Sequence, residues 1–160
     1  MVSCVFPGSF DPVTLGHMHL IERASAVFDR VTVAVMINPS KSGRIPVEKR
    51  TELLKKACIR FSNVRIVCWD GLLADFMIEK NERILIRGVR NCNDYEQESA
   101  AFFTNRMLND HIEVLLLPTD PCFAGISSSV VREVALFGGD ISPFVPEGLA
   151  EEITALLSNK

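Results

Sequence analysis

Gly8, Ser9, Asp11, Gly16 and His17 crowd one stretch of the chain, Phe6-Pro7-Gly8-Ser9-Phe10-Asp11-Pro12-Val13-Thr14-Leu15-Gly16-His17. A short apolar run, residues 2–6, leads into it, and a helical apolar pattern leaves it. Gly, Pro, Ser and Asp bend the backbone and expose its amides. A strand that turns tightly into a helix gathers free N–H groups and the positive end of a helix dipole, which suits an anion such as a nucleotide's phosphates. His17 falls in the first turn of that helix, on one face with Leu20, Ile21 and Ala24. His19 shares the other face with Glu22 and Arg23 and is expected to meet water, so the two cannot easily share a metal. Two readings of His17 stay open, a buried helix cap and a group directed at a ligand; its Gly-Ser-Asp setting favours the second. His111, in a polar turn, reads as surface.

Lys41 stands in a loop, residues 38–43, with Arg44 nearby. Arg87 directly follows the apolar residues 84–86, which places it at the rim of a sheet, where a charge is either paired or holds an anion. The planar forks of Arg87 and Arg90 suit phosphate, with an ion pair to Asp94, Glu96 or Glu98 as the alternative for Arg87. Ser127, Ser128 and Ser129 open a helix. One serine suffices as a cap; three together offer hydroxyls and amides to a polyphosphate, and Arg132 one turn on could add charge. Gly8 and Gly16 are too far apart for G-x-G-x-x-G, and no G-x-x-x-x-G-K-[ST] occurs, which counts against a dehydrogenase and a P-loop ATPase.

Alternating elements must position these residues. Strand patterns fall at 2–6, 31–37, 64–69, 84–86 and 112–117. Helical patterns leave the opening turn with Leu20, Ile21, Ala24, Val27 and Phe28 in phase, and recur at 46–61, 72–80 and 94–108. In the last of these, Asp94 and Gln97 are spaced like a capping box. A further helix opens at residues 126–129 and is closed by Gly138-Gly139, and a final one covers about 146–157. Lys49, Arg50, Glu52, Lys55 and Lys56 read as a solvated helix face. Phe102, Phe103, Met107 and Leu108 read as core or as a subunit contact. The expectation is a Rossmann-like, doubly wound α/β sheet of five parallel strands with helices on both faces, in one domain spanning residues 1–160. Every candidate residue follows a strand, and ligands of such sheets bind at the strands' carboxyl ends.

The composition, 48% apolar and 23% charged over 160 residues, is that of a folded globular domain with a real core. A net charge of -3 argues against general nucleic-acid binding. The N-terminal residues lack the basic segment of a signal peptide, and no apolar run is long enough to span a membrane. The odd cysteine number, five without a C-x-x-C pair, points to small buried thiols in a reducing cytoplasm rather than to disulfides or zinc.

Taken together, the stretch from Phe6 to His17, Asn38-Pro39-Ser40-Lys41, Leu85-Ile86-Arg87-Gly88-Val89-Arg90, Asp94-Tyr95-Glu96-Gln97-Glu98 and Ile126-Ser127-Ser128-Ser129 resemble the T/H-x-G-H nucleotidyltransferase superfamily. Within it the chain resembles, over essentially its whole length, the bacterial phosphopantetheine adenylyltransferases. The resemblance implies transfer of an adenylyl group from ATP to 4′-phosphopantetheine, giving dephospho-coenzyme A and pyrophosphate, with Mg²⁺ carried on the ATP phosphates and no protein metal site. It implies that His17 stabilises the transition state at the α-phosphate, with Lys41 and Arg90 also catalytic. Ser9 would touch both substrates. Lys41, Arg87 and Leu73 would hold the acceptor, Leu73 along its pantetheine arm. ATP would meet Phe10, Gly88, Val89, Arg90 and Glu98, and also Phe123, Ala124, Gly125, Ile126 and the three serines. A cytoplasmic homohexamer, a dimer of trimers inhibited by coenzyme A, is implied as well.

Two departures stand out: Phe123-Ala124-Gly125 replaces the aromatic-Ser-Phe common before the serine motif, and Gln97 stands where Tyr is common. The alternatives are another adenylyl- or cytidylyltransferase of the superfamily, or a non-catalytic nucleotide-binding module. Thr14 and the Ile-Ser-Ser-Ser sequence point away from the first, and the full motif set points away from the second.

Overall fold

The computed structural model describes residues 1–38 and 43–158. Lys41, with the rest of residues 39–42, lies outside them. The strands are β1 (Ser3–Gly8), β2 (Arg30–Ile37), β3 (Val64–Asp70), β4 (Ile84–Val89) and β5 (Glu113–Pro118). The helices are α1 (Leu15–Val27), α2 (Val47–Ala57), α3 (Leu73–Glu79), α4 (Cys92–Leu108), α5 (Ser128–Leu136) and α6 (Ala150–Ser158). All five strands are parallel, in the order β3-β2-β1-β4-β5. This is the expected Rossmann-like sheet. The chain order reverses between β1 and β4, which pair at Val5 and Leu85, and the crevice beyond their carboxyl ends is where such a sheet binds ligands.

The sheet's central strands are apolar on both faces, as burial on both sides requires. One face packs Phe6, Val33 and Ile86 against Ile21, Leu53, Leu54, Val131 and Ile153 of α1, α2, α5 and α6. The other packs Val5, Ala34 and Leu85 against Ala74, Phe76 and Met77 of α3. Helix α4 crosses β4 and β5 but contains no buried residue. Tyr95, Phe103, Met107 and Leu108 are 57%, 65%, 88% and 55% exposed, so within this chain they are not core.

Several boundaries differ from the sequence pattern for local reasons. Helix α4 begins earlier, because Asn91, not Asp94, is its cap and accepts the Asp94 amide. Strand β4 runs on through Arg87, Gly88 and Val89, paired with Leu116, Leu117 and Pro118 of β5. Helix α2 stops at Ala57, short of Phe61, and α6 starts only at Ala150. Val27, in phase with the buried face by spacing, is the last residue of α1 and is exposed. Arg50 is 7% exposed, because α2 turns it toward the opening turn rather than to solvent. Of the cysteines, Cys4 and Cys58 are buried, while Cys68, Cys92 and Cys122 are exposed.

Candidate active site

The turn after β1 owes its shape to side chains from distant segments. Arg87 donates to the Pro7 carbonyl at 2.8 Å, Arg50 to Ser9 at 2.8 Å and Arg132 to Asp11 at 2.5 Å. Ser128 donates to the Pro12 carbonyl at 2.8 Å. The Asp11 carboxylate, buried, accepts the amides of Arg44 and Ile45 and so ties the turn to the segment entering α2. Phe10 takes a left-handed φ of 46° and buries its ring edge-on against Phe6 and His17. That ring covers Gly8, where an added Cβ would lie 3.0 Å from it, so only glycine fits without displacement. Phe10, expected at the nucleotide, therefore shapes the turn from beneath.

His17 caps its helix and also lines the main cavity. Thr14 caps α1: the His17 amide donates to Thr14 Oγ1 at 3.4 Å, and the Thr14 amide donates to His17 Nδ1 at 3.1 Å. The imidazole thus takes the place that Glu or Gln holds in an ordinary capping box. An amide can only donate, so Nδ1 carries a lone pair and the neutral ring's proton sits on Nε2. Burial, then the positive charges of Arg87 and Arg90, push the His17 pKa down to about 4. His17 is therefore a neutral, fixed N–H donor that lines the main cavity.

That cavity, ≈ 330 Å³, gathers residues that are far apart in sequence: Ser9, His17, Arg87, Gly88, Arg90, Glu98, Phe123, Ile126, Ser127 and Ser128 all line it. Leu20, Asp94, Gln97 and Thr119, which spacing did not single out as site residues, line it too. A second cavity, ≈ 310 Å³, adjoins it and shares Pro7, Gly8, Ser9, Arg87 and Glu98 as a wall. Leu73 stands in this one, with Met36, Asn38, Leu85, Ala101, Phe102, Asn105 and Val114. Phe102, grouped by sequence with the core or a subunit contact, thus borders the second cavity. Gly88 serves close approach: a Cβ there would run into Leu20 Cδ1, so β4 can lie against α1 beside the cavity.

Both arginines of the rim are paired. Arg87 Nε and Nη2 donate to Glu98 at 2.6 Å each, a forked ion pair standing in the shared wall. Three of its five N–H donors are used in these bonds and the one to Pro7, which leaves donors for an anion. Arg90 donates to Asp94 at 2.8 Å, and that bond holds the Asp94 carboxyl below its usual range. The ion-pair alternative for Arg87 is thus the arrangement found, with Glu98 as partner, within a cavity wall.

The serines divide their labour. Ser127 caps α5 by accepting the Val130 amide, Ser128 ties the helix to the opening turn, and Ser129 accepts from Arg132. Val89, Ala124, Gly125 and Ser129 are not among the cavity-lining residues. His19 does not face water. It pairs with Asp120 at 3.3 Å and lies against Phe123. Sequence spacing placed His19 on the outer face of α1, but could not show that the segment after β5 folds over that face. Among the described residues no three His, Cys, Asp or Glu side chains stand together to hold a metal, and no helix is long and apolar enough to cross a membrane.

The cytidylyltransferase-like family model matches residues 5–134. A phosphopantetheine adenylyltransferase of Clostridium botulinum strain Hall is 41% identical over 160 residues, covering 100% of this chain and 98% of the relative. One from Finegoldia magna is 43% identical over 156 residues, covering 98% and 96%. A solved Vibrio parahaemolyticus structure, assigned as a nicotinate-nucleotide adenylyltransferase, shares the fold with a TM-score of 0.71 at 20% identity, covering 100% of this chain and 98% of that one.

Proposed function

Since the chain belongs to the cytidylyltransferase-like family and, within it, to the phosphopantetheine adenylyltransferases, we infer that it transfers the adenylyl group of ATP to 4′-phosphopantetheine in coenzyme A biosynthesis. The observation that supports this most is the pair of cavities meeting at Ser9, Arg87 and Glu98. One is lined by cations, serines and a neutral imidazole, as a triphosphate requires. The other is lined by Met36, Leu73, Leu85, Phe102 and Val114, as an extended pantetheine arm requires.

In the reaction an oxygen of the acceptor phosphate attacks the α-phosphorus of ATP. The bond from that phosphorus to the oxygen bridging to the β-phosphate breaks, and its electron pair leaves with pyrophosphate. The acceptor is already a dianion, so no general base is needed. The work is to align two anions and to stabilise charge growing on the transferring group. His17 Nε2–H donates to an α-phosphate oxygen, without gaining or losing a proton, and its geometry is set in advance by Thr14. Ser9, in the shared wall, touches both substrates. Lys41 and Arg87 hold the acceptor phosphate, and Arg90 adds positive charge on the nucleotide side. Glu98, Gly88, Phe123, Ile126 and the α5 serines border the nucleotide. The charge of the triphosphate is screened by the Mg²⁺ that accompanies it.

The apolar outer face of α4 supports assembly. Tyr95, Phe103 and Met107 recur along one side of the helix, and copies of the chain cover them in a cytoplasmic homohexamer, a dimer of trimers. Coenzyme A, which carries both an adenylate and a pantetheine arm, spans the two cavities as a feedback inhibitor. The test is pyrophosphate release from ATP and Mg²⁺ with phosphopantetheine, nicotinate mononucleotide or glycerol phosphate as acceptor. Release with phosphopantetheine alone is expected; none with that acceptor defeats the reading.

A further inference from the structure

We propose that His19 is a positioning residue for the nucleotide side of the site, holding the segment between β5 and α5 in place from the outer face of α1. Arg23, one helical turn on from His19, holds the last residue of β5, and His19 holds the segment that follows. Arg23 Nη1 donates to the Pro118 carbonyl at 2.6 Å. His19 Nε2 lies 3.3 Å from Asp120 Oδ2, and its ring lies over Phe123 with centroids 4.8 Å apart and planes at 33°. The His19 side chain is only 16% exposed, so the contact is a packed one. Thr119 N–H donates to the Val89 carbonyl at 2.8 Å and pins the segment's start to β4; beyond it the backbone bonds are local: Phe123 N–H to Asp120 at 2.9 Å, Ala124 N–H to Pro121 at 3.2 Å and Ile126 N–H to Phe123 at 3.0 Å. Such turns fix the segment's shape but not its place against the sheet. Beyond Thr119 the grip supplies the place, and Phe123 and Ile126 line the polar cavity beside it. The Asp120 carboxylate is largely exposed, so its polar contact contributes little alone, which makes the ring contact the larger part of the grip.

This rests on the reading that the polar cavity takes ATP. The experiment uses the full chain with His19→Ala and His19→Phe, the second keeping an aromatic ring over Phe123 without the polar contact to Asp120. Amide hydrogen exchange is read at Phe123, Ala124 and Ile126, and ATP and phosphopantetheine dissociation constants are read by calorimetry. His19→Ala is expected to speed exchange at those amides and weaken ATP about three- to tenfold, the worth of one aromatic contact, while phosphopantetheine affinity stays as it was. His19→Phe is expected to restore most of both effects. Unchanged exchange overturns the proposal. So does faster exchange with unchanged ATP affinity, or equal weakening of both ligands, which would mark general damage. Wild-type chain that binds ATP without releasing pyrophosphate defeats the assigned reaction and leaves these comparisons decisive; wild-type chain that binds no ATP overturns both.

Discussion

The Thr14 amide donates to His17 Nδ1 at 3.1 Å, and this one bond assigns the proton of a neutral imidazole to the nitrogen that faces away from the cap. His17 is thereby both the last piece of the α1 N-terminus and the donor offered to the cavity. Replacing it by Ala should lower turnover by ~10²–10³ while leaving the ATP dissociation constant nearly unchanged, as for loss of a donor used mainly in the transition state. Steady-state kinetics beside calorimetric ATP binding checks this; wild-type turnover would make His17 purely structural.

The pH behaviour of His17 has a definite sign. Its folded pKa, about 4, lies below the ordinary 6.5, so the unfolded chain binds the proton more readily between these values. The contribution to stability is fully present above about pH 6.5 and is lost as pH falls toward 4. Denaturant melts of the wild type should weaken across that window more steeply than those of His17→Gln. The ring's NMR shifts should titrate near 4, and turnover should show no acid limb at ordinary histidine pH.

Glu98 and Arg87 form the wall between the cavities, each half-buried or nearly so. Glu98→Ala leaves the guanidinium without its forked partner and should cost about 1–3 kcal/mol in thermal or denaturant unfolding. It should also raise the KM of both substrates, because both meet that wall. A change confined to one substrate would show that the pair serves only one cavity.

Gly8→Ala sets a methyl group 3.0 Å from the Phe10 ring, in a turn whose φ at Phe10 is already left-handed. Overpacking of this kind typically costs about 1–3 kcal/mol, and thermal unfolding should show it. The double variant Gly8→Ala, Phe10→Leu should recover part of the loss if the ring is the obstacle.

Phe103→Asp with Met107→Glu places charges on the apolar side of α4. Light scattering after size exclusion should show the proposed homohexamer replaced by smaller species, with far-UV circular dichroism unchanged because neither side chain is buried in the chain itself. An unaltered mass would mean that this face is not the contact.

Much of this was legible in residue order. The strand runs alternate with helical periods, and β-branched, doubly apolar strands such as β2 announce a sheet covered on both sides. Many of the cavity residues were legible because they stand at or just beyond the ends of strands; Leu20, Asp94, Gln97 and Thr119 were not. What residue order could not show is how pieces far apart meet. Arg50 reads as one of a row of solvated charges, yet it is drawn inward by the Ser9 carbonyl, a partner 41 positions away. His19 reads as outward until the chain after β5 is laid over it. Asp94 looks like a helix cap, but the helix opens three residues earlier, where Asn91 accepts the amide of Asp94 itself.

Arg50, Arg87 and Arg132 each grasp a carbonyl of the opening turn, and they come from α2, β4 and α5. The turn has little shape of its own and is rigged from three sides, like a tent floor held by its guy lines. No fragment of the chain lacking any of these elements can present the site, and activity should vanish together with the cooperative unfolding of the whole sheet rather than before it. The turn after β1 is thus a gauge of whether the entire fold is assembled.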